Sequence, residues 1–264
     1  MEEKNPEKLR VPQMNWVSLA AFILVPLAWW LLLLYVVTPL LMPYMTTAEG
    51  EINGYALNLI SLSGYLFEFL LAVLILKREG GLFNWHFLKA RLSLKLGGWK
   101  AWGLFVLLFI LAFAATFPLI KLSPKIASLL PPPVWFPASQ NPLKEVNSIS
   151  DAYPGVVFEH NYVFLLLVSF TALMNIFVED IYYRGVLIPK LNGLFGRLSW
   201  VAGGLIFMLK HLYVWWRCLE VLPLAFTGAF FAGPLGSLWF TMLAHFLGNY
   251  GMSLPLLIKS VLFG

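Results

Sequence analysis

Val178-Glu179-Asp180-Ile181-Tyr182-Tyr183-Arg184-Gly185 closes an apolar run that opens near Tyr162. A run of that length and hydropathy reads as a membrane-spanning helix. Each ionisable group at bilayer depth costs about 2.5–3.5 kcal/mol on insertion scales, so the two acids and the arginine are expected to be paired and functional. Asp180 and Arg184 stand four residues apart on one helical face and can neutralise each other. Glu179 is left without that partner, with Tyr183 four residues on. An acid so placed in an apolar site suits a general base or proton acceptor. The competing reading is that the three charges only mark the membrane–water boundary.

The rest of the chain agrees with a membrane setting. Of 264 residues, 60% are hydrophobic and only 12% charged, against about 25% charged in soluble domains. The 11 tryptophans suit interfacial belts. The net charge of +5 sits in short loops beside apolar spans, so it reads as an orientation signal and not as a nucleic-acid surface. Cys218 is the only cysteine, which excludes an intrachain disulfide and a cysteine-based metal cluster. Met1 to Asn15 is mixed in charge, and the apolar run from Trp16 to about Met42 exceeds the roughly 7–15 residues of a signal peptide, so it reads as a first span. No lipidation is expected, since Glu2 replaces the glycine that myristoylation needs and no cysteine lies near the last residues.

These features predict an all-α, polytopic transmembrane bundle of seven spans, within a range of six to eight. Residues 1–15 form a cytoplasmic tail and 16–121 a three-span region. Its spans lie near 16–38, ending at Pro39 and Pro43, near 55–76, containing Glu68, and near 101–120. The basic connector from Lys77 to Lys100 is cytoplasmic by the positive-inside rule, with Leu82 to Leu88 suited to the interface. The loop 122–158, with Pro131-Pro132-Pro133, is then extracytoplasmic and need not be highly ordered. Residues 159–264 form a C-terminal region with spans near 162–184, 199–216, 219–233 and 235–250, and 253–264 as a partial or eighth helix. At about 1.5 Å per residue, Glu179 falls near the inner boundary and His211 deeper. No internal repeat is visible, which weighs against an inverted-repeat transporter.

Three polar clusters interrupt the apolar C-terminal region. The first is Glu179 to Arg184, the second Phe207 to His211, the third His245 to Asn249. His245 and Asn249 share a helical face and can present a ring nitrogen and an amide to one point. Taken one at a time, His211 reads more readily as a histidine bonded to a neighbouring helix, and His245 with Asn249 as packing glue. If all face one cavity, they supply a base, a polariser and two donors, a set sufficient to activate water and hold the oxyanion of amide hydrolysis. No Gly-x-Ser-x-Gly motif competes with them.

The ordered set resembles the CPBP family of intramembrane proteases (CAAX proteases and bacteriocin-processing enzymes, also called the Abi family). That family shows Glu-Glu-x-x-x-Arg, then Phe-x-x-x-His, then His-x-x-x-Asn. Glu179, Tyr183, Arg184 and Gly185 match the first motif, Phe207 and His211 the second, His245 and Asn249 the third. Asp180 departs from the second glutamate and shortens that side chain by one methylene. The resemblance implies a membrane endopeptidase of CAAX type, cleaving near the end of a membrane-anchored or prenylated substrate within the bilayer. It implies Glu179 and His211 as activators of water, His245 and Asn249 as holders of the oxyanion, and Asp180, Arg184, Tyr183 and Phe207 in support.

Glu179, His211 and His245 would also make a two-histidine, one-carboxylate zinc site. The His-Glu-x-x-His arrangement is absent, and no spare acid remains as base unless Asp180 turns inward. No cofactor is therefore expected. A proton-coupled transporter built on Glu68, Glu179, His211 and His245 would show flux without hydrolysis, and a non-catalytic scaffold or immunity factor would tolerate Glu179→Gln. Glu68 reads either as paired with a base on another helix or as snorkelling to a span end. Lys210 is expected to point away from His211 as an interface or pairing residue, and His86 and His160 to be surface residues. A compact chain with short tails fits a multi-pass protein of a prokaryotic cell membrane.

Overall fold

The structure is a computed structural model that describes residues 11–81 and 84–263. The readings made for residues 1–10 of the tail, and for Leu82 and Phe83 of the interfacial segment, lie outside the described residues. Among those described there is no strand, only a bridge between Thr46 and Ile52. Helix α1 spans Trp16–Met45 and α2 Gly54–Arg78. The connector carries α3, Trp85–Arg91, and is followed by α4, Trp99–Ile120. Two short helices, α5 (Ser123–Leu129) and α6 (Ile149–Ala152), lie in the long loop. Then come α7, Tyr162–Lys190, α8, Ser199–Lys210, α9, Cys218–Ala232, α10, Leu238–Tyr250, and α11, Ser253–Phe263.

Side chains set the helix starts. Asn15 caps α1 in a reciprocal box with Ser18, and Asn161 caps α7 by accepting from Phe164 N at 3.1 Å. Helix α2 ends on Lys77 and Arg78, cations that complement the helix dipole. The first span does not stop at Pro39 as the sequence suggested. A π-helical turn over Leu33–Val37 precedes the proline, and Thr38 Oγ1 donates to Leu33 O at 2.7 Å. That carbonyl also accepts from Thr38 N, so residue 38 binds it twice just before the proline.

Among the described residues, five stretches are long and apolar enough to cross a membrane, and the pair α10–α11, bent by 55°, makes a sixth. One of the five, Asn192–Ala232, is 41 residues long. It folds back on itself: Trp200 of α8 packs edge-on against Phe226 and Phe230 of α9, as an antiparallel hairpin requires. Its tip is the 3₁₀ turn His211–Arg217, broken at Val214. Counting the two arms separately gives seven membrane helices, the number expected, in an all-α polytopic bundle.

The helix ends gather on two faces. The basic face holds the connector 78–99 and the turn 190–199. Met14 N donates to Lys190 O at 3.1 Å, and Ser237 Oγ to Lys95 O at 2.7 Å. The opposite face holds the turn 46–53 and the loop 122–158. This loop is better fixed than its composition suggests. Lys144 Nζ donates to Phe136 O at 2.9 Å and pairs with Glu51 Oε1 at 2.5 Å, while Trp216 Nε1 of the hairpin tip donates to Gln140 O at 2.8 Å. His86 and His160 are exposed, as expected.

Glu79 ties the basic face together. It accepts from Arg91 Nε at 2.6 Å and pairs with Lys190 Nζ at 2.7 Å, while Arg91 Nη1 donates to Gly185 O at 2.8 Å. Burial opposes the Glu79 charge, but the hydrogen bonds and charges of Arg91 and Lys190 outweigh it and hold the carboxyl below the usual glutamate range. A carboxyl whose pKa is depressed on folding stabilises above its unfolded pKa and loses that contribution as pH falls through the folded value. Hydrogen-exchange protection of residues 85–92, corrected for intrinsic rates, is therefore expected to hold at neutral pH. It should fall only below the ordinary glutamate range. Glu79→Gln should show reduced protection already at neutral pH; protection equal to wild type there would contradict this.

Candidate active site

Helix α7 carries the first cluster through the centre of the bundle. Between Asp180 and Leu187 it winds as a π-helix, and all of these residues except Ile181 are buried. Such wide turns recur at functional sites. The helix continues to Lys190, beyond the expected end at 184, so Glu179 lies about 16 Å short of its basic-face end. His211 stands at the hairpin tip, also within the bundle. The depth mismatch anticipated from helix lengths thus disappears.

A cavity of about 530 Å³ joins the three clusters: Glu179, His211, His245 and Asn249 all line it, as do Arg184 and Phe207. Asp180 and Tyr183 stand behind its wall, both buried. The Asp180–Arg184 pair forms as the spacing predicts, through Oδ1 and Nη1. Asp180 Oδ2 lies 3.3 Å from His245 Nδ1. A carboxylate only accepts, so His245 donates from Nδ1 and turns Nε2 toward Glu179 Oε2, 3.8 Å away. The Arg184 guanidinium lies over the Phe207 ring, 3.8 Å from its centroid. His211 Nδ1 is 2.8 Å from Phe207 O. A carbonyl also only accepts, which leaves His211 Nε2 as the nitrogen with a free lone pair.

One expectation is corrected. Glu179 is not without a counter-charge: Lys210 Nζ forms an ion pair with its Oε1. Lys210 does not point away from the site but is fully buried, and it also lies 3.6 Å from Glu68 Oε2. Glu68 is likewise buried, and its Oε1 accepts from Trp30 Nε1 at 2.9 Å and Tyr183 Oη at 3.3 Å. Of the two readings of Glu68, the structure selects pairing with a base on another helix. Sequence reasoning also passed over Asn175, one turn before Glu179. Its Oδ1 accepts from Asn249 Nδ2 at 3.3 Å and from Tyr250 Oη at 3.2 Å. The signal was present: each is a polar residue inside an apolar span.

Glycine makes room for the arginine. A Cβ on Gly228 would stand 2.7 Å from Arg184 Nε. Because the guanidinium is held by Asp180 and Phe207, Gly228→Ala is expected to cost about 1–3 kcal/mol through overpacking. Thermal denaturation in detergent measures this, and an unchanged midpoint would show that the guanidinium is free to yield.

The zinc reading fits poorly. Among the described residues no group of three His, Cys, Asp or Glu is disposed to hold a metal ion. The Glu179 carboxylate already contacts an ammonium, and His211 Nδ1 is taken by a carbonyl. A dication at Glu179 would sit beside the charge of Lys210.

With known proteins compared, residues 161–251 match the family model described as type II CAAX prenyl endopeptidase Rce1-like. No curated protein and no solved structure matches the chain. The matched stretch contains all three motifs, so the resemblance read from them holds over 161–251, about a third of the chain.

Proposed function

We propose that the chain is an intramembrane endopeptidase whose Glu179 activates water to cleave a membrane-anchored or lipidated peptide near its end. One observation carries this reading. Glu179 Oε2 is buried, has no hydrogen-bond partner, and belongs to a residue that lines the same cavity as His211, His245 and Asn249. Unsatisfied buried carboxylate oxygens are costly and rare, and this one is placed to accept from a water or a substrate group.

The roles follow from the hydrogen-bonding directions. Glu179 takes the proton of water, helped by the lone pair of His211 Nε2. His245 Nε2 faces the same point from the third cluster and, once it carries a proton, donates to the oxyanion, with Asn249 Nδ2 as second donor. Asp180 fixes the His245 tautomer and Arg184 fixes Asp180. Lys210 and Glu68 hold Glu179 from behind. Residues 159–264 carry the chemistry, and the three-span region 16–121 buttresses it through Trp30 and Glu68. The setting is a prokaryotic cell membrane with the N-terminus and basic face in the cytoplasm.

Purified protein in detergent, offered membrane peptides with and without a prenyl group, tests the proposal. Hydrolysis that persists in chelator supports the metal-independent reading. Activity lost to chelator and restored by zinc overturns it, and absence of cleavage across the panel overturns the protease itself.

A further inference from the structure

The two ends of the cavity differ. Toward the basic face its floor is closed by the buried π-helical turn, where Tyr183, Val186 and Leu187 are sealed in the core and Arg91 binds the carbonyls of Gly185 and Val186. Among the described residues, none of the connector 77–100 or of the turn 185–200 lines it. At the other end its walls are Asn58 and Ser61 of α2, Ile120 of α4, and Ser139, Gln140 and Ala152 of the long loop. The mouth therefore lies on the face opposite the basic one.

Charge orients those faces. Among the described residues, the basic face carries eight lysines and arginines against Glu79 alone. The opposite face carries five against six acids, in and beside its loops. Cytoplasmic loops are the ones with excess Lys and Arg.

From these two observations we infer that the catalytic cavity opens away from the cytoplasm and takes its peptide from the extracytoplasmic side. Of the substrates proposed above, the membrane-anchored peptide presented from outside is then the class that fits. The mouth fits an extended peptide: Ser139, Gln140, Asn58 and Ser61 offer polar partners, while Phe113 and Ile120 offer apolar contact. The assignment of a substrate rests on the endopeptidase reading; the direction of the opening does not.

Two measurements test it. In a Cys218→Ala background, Gln140→Cys at the mouth should react with a membrane-impermeant maleimide in intact cells. Lys89→Cys on the basic face should react only after permeabilisation. The reverse pattern overturns the inference whatever the protein cleaves. In the same cells, one reporter peptide is inserted in either orientation. Cutting is expected at least tenfold faster with the scissile segment outside; equal cutting, or preference for the cytoplasmic segment, overturns the inference. If neither reporter is cut and purified protein is also inert, the endopeptidase reading fails, while the labelling still decides which way the cavity opens.

Discussion

Glu179→Gln is expected to lower peptide hydrolysis by about 10²–10⁴-fold, the range for loss of a positioned general base. Glutamine keeps the volume of glutamate, and its amide oxygen can still accept from Lys210. It loses the basicity. The loss should therefore appear in kcat and leave KM nearly unchanged, the pattern of an interaction used only in the transition state. The fold should survive, because Lys210 keeps Glu68 and Asp180 keeps Arg184. Steady-state kinetics on a membrane peptide, with a thermal midpoint as control, make the comparison. Retention of more than a tenth of wild-type kcat would remove Glu179 from the centre of the mechanism.

Lys210→Met should act on stability before it acts on rate. Lys210 is 1% exposed and faces both Glu68 and Glu179. Removing the cation strands two buried carboxylates, and breaking a buried ion pair from one side costs about 3–5 kcal/mol. The protein should survive heating in detergent far less well. Adding Glu68→Gln to Lys210→Met removes one of the stranded charges and should recover much of the loss, the non-additivity expected of residues in one network. A single variant as stable as wild type would show that Lys210 does not hold the site. A double variant worse than the single would show that Glu68 does not share its charge.

The parts of this site that were legible in the sequence are those fixed by helical geometry. Asp180 with Arg184, and His245 with Asn249, are four residues apart, and the helix alone places each pair on one face. The convergence of the three clusters on one cavity rested on resemblance to a family, since no spacing rule links separate spans. What escaped were contacts made only by tertiary packing: Lys210 reaching Glu179, Glu68 reaching Lys210, Asn175 meeting Asn249. An acid in one span and a base in another each announce a need for a partner, but hydropathy cannot say which partner is near. The number of helices was readable from apolar runs. The continuation of α1 past Pro39 was not, because it depends on the π-helical turn and the hydroxyl of Thr38. The fixing of the loop 122–158 also escaped, since it hangs on Lys144 and Trp216 and not on its own composition.

The hairpin has a consequence for the bilayer itself. Its arms are 12 and 15 residues long, so they rise only about 18 and 22 Å in a hydrocarbon layer about 30 Å thick. The missing height is filled by the loop 122–158, whose backbone accepts from Trp215 and Trp216 at the tip. Polar chain at that level is expected to thin the lipid beside it. A depression of this kind shortens the path of water to His211, so the hydrolytic rate should depend on acyl-chain length and fall as the host membrane thickens.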